Sequence, residues 1–115
     1  MNHILIFVYG TLKKGYRNHH YLQDATYYGD GTLVDYEMFD LGTYPGIRSK
    51  VGASVDGELY LVNEMTKKDI DMLEEEGTLY RCIKVEVMCN HQTLQALVYE
   101  YLPEYHGEVL KRTSW

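Results

Sequence analysis

The sequence predicts a small α+β domain in which antiparallel sheet predominates over helix. Three observations support this fold class: repeated segments rich in Tyr, Val and Thr, a hairpin signal in the second half, and one helix bounded by capping residues. The chain has 115 residues, 45% of them hydrophobic and 24% charged, which is typical of a globular protein. We therefore expect one domain over residues 1–115, with a core of its own.

The first half of the chain reads as strand-like segments separated by turns. Residues 4–9 (ILIFVY) are apolar on both alternations, which predicts a strand that is covered on both faces. Residues 25–41 are rich in Tyr, Thr and Val but contain two glycines, which predicts two strands or one strand bent by a bulge. Residues 44–46 (YPG) predict a turn, and residues 57–62 (GELYLV) predict the next strand.

One helix is predicted from Thr66 to about Glu76. Thr66 is followed three residues later by Asp69, and this spacing is similar to a capping box at a helix start. Gly77 suits the position just after a helix end, where a left-handed backbone is common. We therefore expect the helix to be the main one of the domain.

Two further strands are predicted after the helix. Residues 80–88 and 93–102 alternate between apolar and polar side chains on either side of the segment CNHQ. They should therefore form a hairpin around Asn90 and His91.

The helix ends in three consecutive glutamates whose helical phases differ. Ile70 and Leu73 begin an apolar stripe, and Glu74, four residues after Ile70, continues it. Glu75 and Glu76 are rotated onto flanks that we expect to be wet. Carboxylates in a last helical turn oppose the helix dipole, so helix stability does not account for them. Glu74 is thus a candidate catalytic base, and the alternative is that all three are solvated surface charges.

Charge and composition exclude several classes of partner. The formal charge is -6 and the isoelectric point is near 5.3, which disfavours nucleic acid and anionic membrane surfaces. No apolar run approaches the length that crosses a bilayer, and the start of the chain lacks the features of a signal peptide. These observations predict a cytoplasmic protein.

The residues also give no reason to expect a metal site. His19 and His20 are adjacent, so they do not face one ligand, and surface or loop-packing roles are predicted for both. Asn18, which precedes them, is predicted to cap their short segment.

A turn follows the first strand at Gly10, Thr11 and Leu12. Glycine lets the backbone approach a ligand closely, and consecutive N–H groups can converge on an anion or on a developing oxyanion. The spacing does not match a phosphate loop or a dinucleotide fingerprint, so nucleotide binding of those kinds is not predicted.

Several segments together resemble the γ-glutamylcyclotransferase-like superfamily, and most closely its γ-glutamylamine cyclotransferase branch. The resemblance covers nearly the whole chain in order, through IFVYGTLKKGYRNHHYL, LGTYPGI, VDGELYLV, IDMLEEEGTLYRCIKVEV and ALVYEYL. It implies a compact, mainly antiparallel β-barrel-like sheet with one main helix and short helical segments. It also implies a small-molecule γ-glutamyl substrate, no cofactor and no metal.

The resemblance also assigns roles to residues. Carried over by position, Tyr9, Gly10, Thr11 and Leu12 form the turn that cradles the γ-glutamyl group. The acid/base glutamate, which precedes the Tyr-Arg strand start by six residues, is Glu74. Many relatives have glycine or a small residue at the next position, where this chain has glutamate, and like-charge repulsion there would raise the pKa of the catalytic carboxyl.

Two tyrosines and the reaction itself leave alternatives open. Tyr44 and Tyr80 could each place a hydroxyl in the pocket, or they could serve only to pack the sheet. The reaction implied is intramolecular attack of the substrate's α-amine on its γ-amide, which releases 5-oxoproline and a free amine. The alternatives are a non-catalytic module that binds a γ-glutamyl or other small carboxylate compound, and a hydrolase that uses water.

Overall fold

The structure is a computed structural model that describes residues 3–115. It contains five strands, one α-helix and one 3-10 helix, in the following order along the chain: β1 (Ile4–Val8), the 3-10 helix (His19–Leu22), β2 (Thr26–Asp40), β3 (Pro45–Val62), α1 (Glu64–Leu73), β4 (Tyr80–Cys89) and β5 (Gln92–Tyr101). Within residues 3–115, no helix is both long and apolar enough to cross a membrane.

The five strands close into a barrel in the order β1-β3-β2-β4-β5. Neighbouring strands are antiparallel except for β1 and β5, which run parallel and complete the ring. Closure leaves the central parts of the strands without unpaired edges. The predicted fold class, an α+β domain with a barrel-like and mainly antiparallel sheet, is confirmed.

Strand β1 is covered on both faces, as its continuous apolar sequence predicts. Phe7 belongs to the cluster that fills the barrel, whereas Ile6 and Val8 belong to a second cluster outside it, beneath the helices. All three side chains are buried. The barrel interior is otherwise filled by apolar residues from every strand, including Leu33, Met38, Ile47, Val55, Leu59, Val87 and Val98.

The region predicted as several short strands and a turn is instead one long β-hairpin. Residues 26–40 form a single strand with two register shifts, so the bent-strand alternative is confirmed for β2. The turn predicted at residues 44–46 is wrong, because Pro45 and Gly46 already pair with β2 as the first residues of β3. A Cβ atom on Gly46 would lie 2.6 Å from the ring of Phe39, so this glycine permits a close sheet contact.

The hairpin predicted near the end of the chain is confirmed. Strands β4 and β5 pair from Tyr80 with Tyr101 to Cys89 with Gln92. Asn90 and His91 connect them with φ angles of 50° and 65°, the left-handed pair that a two-residue hairpin turn requires.

The start of α1 differs from the prediction. The helix begins at Glu64, and its N-cap is Asn63, whose side-chain oxygen accepts a hydrogen bond of 2.8 Å from the Thr66 N–H. Thr66 is therefore inside the first turn, where it is buried, so the capping box predicted there is wrong. Asn63 follows β3 directly, so no separate loop in the sequence marks where the strand ends and the helix begins.

The end of α1 also differs. The helix ends at Leu73, three residues before the predicted end, and Glu74 is its C-cap. Glu75 then has φ of 49°, so this glutamate takes the left-handed position that was predicted for Gly77. Gly77 is left-handed too, with φ of 94°, but it lies in the turn that leads into β4.

The segment after β5 packs on the barrel without regular helix. The Leu110 N–H donates to the Met38 carbonyl, and the Asp56 N–H donates to the Thr113 carbonyl. Trp115 packs against the interior cluster. The last residues thus cover one end of the barrel.

The left-handed conformation of Glu75 generates a stability prediction. A side chain with a Cβ atom is strained by roughly 1 kcal/mol there, so Glu75→Gly should raise the free energy of unfolding by about 0.5–1 kcal/mol, measured by urea denaturation. Glu76→Gly is the matched control, because Glu76 has an ordinary φ and its carboxylate accepts a hydrogen bond from the Cys82 N–H. The control should be destabilised, and equal effects of the two variants would contradict the prediction.

Candidate active site

A pocket lies where the end of β1, the β2–β3 connection, the end of α1 and the start of β4 meet. Counted with its open mouth, the space is about 360 Å³. All the site residues predicted from the sequence line it, and the structure adds four more. The full lining is Phe7, Val8, Tyr9, Gly10, Thr11, Leu12, Tyr44, Pro45, Glu74, Tyr80 and Tyr99.

Glu74 carries the one charged side chain among these lining residues. Its position is fixed by the helix end, because its backbone N–H still donates to the Ile70 carbonyl at 2.9 Å. Within residues 3–115, no group donates a hydrogen bond to its carboxylate. Burial without such donors penalises the charged form and raises the pKa of Glu74 from its ordinary value of 4.5 to about 7.

Glu75 and Glu76 are exposed, in agreement with the helical phase of the sequence. They do not account for the raised pKa of Glu74, for which burial is the cause. The like-charge effect expected from them is therefore not what shifts this carboxyl. The charges of Glu75 and Glu76 stand in solvent, which screens them.

Tyr9 and Tyr80 form two walls of the pocket, and both hydroxyls are bonded to backbone. Tyr9 donates to the Tyr99 carbonyl at 2.6 Å, and Tyr80 donates to the Pro45 carbonyl at 2.7 Å. Burial, together with the nearby Glu74 charge, raises the pKa of both phenols well above the usual range. They are thus neutral, rigid walls rather than proton donors to Glu74.

Tyr44 is a lining residue of the pocket. Its ring is half-buried and meets the Tyr80 ring edge-on, with 6.4 Å between centroids. Of the two roles left open for Tyr44 and Tyr80, packing describes Tyr80 well, since its hydroxyl is already bonded.

The turn after β1 has the close backbone approach that its glycine predicts. A Cβ atom on Gly10 would lie 2.7 Å from the Pro45 ring, so a side chain there would push the two segments apart. The turn is closed by the Lys13 N–H, which donates to the Gly10 carbonyl at 3.1 Å. None of the three N–H groups of Gly10, Thr11 and Leu12 donates to another described residue, which leaves them available to a ligand.

The roles predicted for Asn18 and His19, which bond to the turn, are correct only for His19. Asn18 stands at the N-cap of the 3-10 helix, but its side chain makes no capping bond, so the predicted cap is wrong. Its amide instead donates to the Thr11 hydroxyl oxygen at 2.9 Å. His19 is bonded through Nδ1 to the Leu12 carbonyl at 2.9 Å, in agreement with the predicted loop-packing role.

Pro45 and Tyr99 were missed as site residues. Pro45 was assigned to a turn, and Tyr99 is one of many tyrosines on predicted strands, so neither carried a distinguishing signal. Within residues 3–115, no cluster of three His, Cys, Asp or Glu side chains could hold a metal ion.

Comparison with known proteins places the chain in a family. The family model for gamma-glutamyl cyclotransferase, AIG2-like, matches residues 6–115. The chain belongs to this family. The resemblance noted in the sequence is thereby confirmed at the level of the superfamily, and the family acts on small γ-glutamyl compounds.

Three individual relatives illustrate the family's range. The "Putative gamma-glutamylcyclotransferase" of Vibrio cholerae is 45% identical over 83 residues, which are 71% of each chain. The "Gamma-L-glutamyl-butirosin B gamma-glutamyl cyclotransferase" of Niallia circulans is 42% identical over 71 residues, 61% of this chain and 45% of that protein. The crystal structure of a mouse AIG2-like protein superposes with a TM-score of 0.80 at 27% identity, covering 92% of this chain and 87% of the mouse chain.

The raised pKa of Glu74 generates a prediction about stability and pH. A carboxyl whose pKa is higher in the folded state stabilises the fold below pH 4.5, and this contribution is lost as the pH rises through about 7. Glu74→Gln removes the ionisation while keeping the shape. The variant should therefore match the wild type near pH 4 and exceed its free energy of unfolding above pH 7 by up to about 3 kcal/mol.

Chemical denaturation of both proteins from pH 4 to pH 9 measures this difference. Glu75→Gln is the matched control, because the side chain of Glu75 is exposed. A Glu74→Gln stability gain that does not change between pH 4 and pH 9 would show that Glu74 is not a buried carboxyl of high pKa.

Proposed function

We propose that the protein is a γ-glutamylamine cyclotransferase that releases 5-oxoproline and a free amine. The observation that carries the proposal is the Glu74 carboxyl, buried in the same pocket as the turn of Gly10, Thr11 and Leu12, with a pKa near 7. A general base is most effective when its pKa lies near the working pH, and an ordinary glutamate is far too weak a base.

The reaction needs one proton carrier and no protein nucleophile. The substrate's α-amino nitrogen attacks its own γ-carbonyl carbon, a C–N bond forms, and the C–N bond to the leaving amine breaks. Glu74 takes the proton from the attacking nitrogen and gives it to the leaving nitrogen, so the same carboxyl is base and then acid. Because the attack is intramolecular, holding the chain curled can contribute on the order of 7–11 kcal/mol to lowering the barrier.

The turn supplies the complementary donors. The unbonded N–H groups of Gly10, Thr11 and Leu12 would bind the α-carboxylate or the oxyanion that forms on the γ-carbonyl. Tyr9 and Tyr80 would confine the γ-glutamyl chain between their rings, which keeps water away from the reacting carbon.

The pocket lining favours an amine over an amino acid as the leaving group. Among the described lining residues, none is basic, so a carboxylate directly beside the scissile amide, as in a γ-glutamyl α-amino acid, would find no cationic partner. The carboxylate of γ-glutamyl-ε-lysine is separated from the scissile amide by the lysine side chain. The relative from Niallia circulans is named for a γ-glutamyl compound, γ-L-glutamyl-butirosin B. We therefore expect γ-glutamylamines to be better substrates than γ-glutamyl amino acids.

Product analysis tests the proposal. Purified protein is incubated with γ-glutamyl-ε-lysine, a simple γ-glutamyl alkylamine and a γ-glutamyl amino acid, and 5-oxoproline is quantified by chromatography. We expect 5-oxoproline from the amines, and a loss of at least about 100-fold in Glu74→Gln, which is the usual contribution of a general acid–base group. Glu75→Gln is the matched control and should retain activity.

Other results would select other functions. Free glutamate in place of 5-oxoproline would indicate a hydrolase that uses water. Saturable binding of the γ-glutamylamine with no product would indicate a non-catalytic module. Loss of activity in Glu75→Gln but not in Glu74→Gln would show that the base is the neighbouring glutamate.

The pH dependence of kcat/KM gives an independent prediction. The carboxylate form of Glu74 is the one that accepts a proton, and it is lost as the pH falls through about 7. For the free enzyme, kcat/KM should therefore rise with pH along a limb whose midpoint lies near 7. A limb centred near pH 4.5, the ordinary value for a glutamate, would contradict the assignment of a buried base.

A further inference from the structure

We propose that the Thr11 hydroxyl donates a hydrogen bond to the substrate's α-carboxylate, and that Asn18 is the positioning residue that sets the direction of this bond. The inference rests on the proposed function, because it concerns how the same substrate is held.

The hydrogen bond between the two side chains has a defined direction. Nδ2 of Asn18 lies 2.9 Å from Oγ1 of Thr11, and an amide NH₂ group can only donate. The threonine oxygen is therefore the acceptor in this pair. A hydroxyl carries one proton, and that proton remains free to be donated elsewhere.

The free proton of Thr11 has no acceptor within the described protein. Thr11 is half-buried and lines the pocket, yet its hydroxyl donates to no residue between positions 3 and 115. The backbone is held as well, since the Asn18 N–H donates to the Thr11 carbonyl at 3.0 Å. A partly buried donor without a partner costs free energy, which a ligand oxygen in the pocket would recover.

Asn18 bonds to Thr11 in place of capping the 3-10 helix. It occupies the N-cap of the 3-10 helix, where an asparagine side chain normally accepts from the helix backbone, but it makes no such bond here. The amide reaches seven residues back to Thr11 instead. His19 likewise donates to the turn, at Leu12. The Leu12 carbonyl can only accept, so Nδ1 of His19 must carry the proton of this bond.

The donors of the turn indicate which group of the substrate they bind. The Thr11 hydroxyl and the unbonded N–H groups of residues 10–12 are all neutral donors, which suit a carboxylate. Glu74, the one charged lining residue, accepts and therefore suits the ammonium. The α-amino acid head would thus lie with its carboxylate on the turn and its nitrogen towards Glu74.

Asn18→Asp tests the direction of the bond. Aspartate has nearly the shape of asparagine, but its carboxylate only accepts, so it would take the Thr11 proton away from the substrate. We expect KM for the γ-glutamylamine to rise about 10- to 100-fold, the usual effect of losing a hydrogen bond to a charged group, with kcat changed less than about threefold. Thr11→Val should raise KM similarly, and Thr11→Ser should restore most of the loss.

Two controls separate this mechanism from the negative charge that Asn18→Asp introduces and from misfolding. In the Thr11→Val background, Asn18→Asp should not raise KM further. If the new charge simply repelled the substrate, KM would rise further in this background as well. The analogue without the carboxylate, an N-alkyl 4-aminobutanamide that cyclises to pyrrolidin-2-one, should be insensitive to both substitutions. Thermal denaturation of each variant identifies any that fail to fold, and Thr11→Val against Thr11→Ser still tests the hydroxyl if Asn18→Asp is one of them.

The outcomes distinguish the inference from the function on which it rests. If wild-type protein forms no 5-oxoproline, the proposed function fails. If wild-type protein is active and neither Asn18→Asp nor Thr11→Val changes KM, the function stands and the role of Thr11 and Asn18 is overturned.

Discussion

The site depends on two tyrosine hydroxyls that bond to backbone carbonyls and not to the nearby glutamate. Tyr9 donates to Tyr99 and Tyr80 donates to Pro45, so the phenols nearest to Glu74 have no proton left to offer it. Each bond also joins two parts of the fold, since one links β1 to β5 and the other links β4 to the start of β3. The same contacts that hold the pocket walls together therefore leave the carboxyl buried without donors, and this is why its pKa is high.

Next to the pocket, Tyr99 and Lys67 are also bonded to a partner other than Glu74. The Tyr99 hydroxyl donates to the carboxylate of Asp71, which also accepts from the Lys67 ammonium at 2.6 Å. A lysine free to approach Glu74 would stabilise its carboxylate and lower its pKa. Because Lys67 is paired with Asp71, on the helix that ends at Glu74, the cation is held by another partner. Helix α1 and its C-cap thus carry both Glu74 and the carboxylate that pairs with this lysine.

Helical phase was sufficient to select one glutamate of three, because the stripe of Ile70 and Leu73 continues only through Glu74. The continuous apolar run of β1 likewise predicted a strand covered on both faces. The length of β3 could not be predicted, because the strand begins with a proline and its first half carries three consecutive polar residues. Nothing local shows that Gly46 allows close approach to the Phe39 ring on β2. Local sequence also could not show that the Asn18 side chain would bond to Thr11 and leave the 3-10 helix uncapped.

The anion recognition proposed for this pocket uses neutral donors, which is consistent with the high pKa proposed to make Glu74 a base. An arginine or lysine is the usual partner of a carboxylate, but its charge would also act on Glu74 across the pocket and lower the pKa that the proposed reaction requires. The N–H groups of residues 10–12 and the Thr11 hydroxyl can hold a carboxylate by directed dipoles whose effect falls off more steeply with distance than that of a full charge. A pocket built in this way can bind the negative end of an amino acid and still keep its own carboxylate basic.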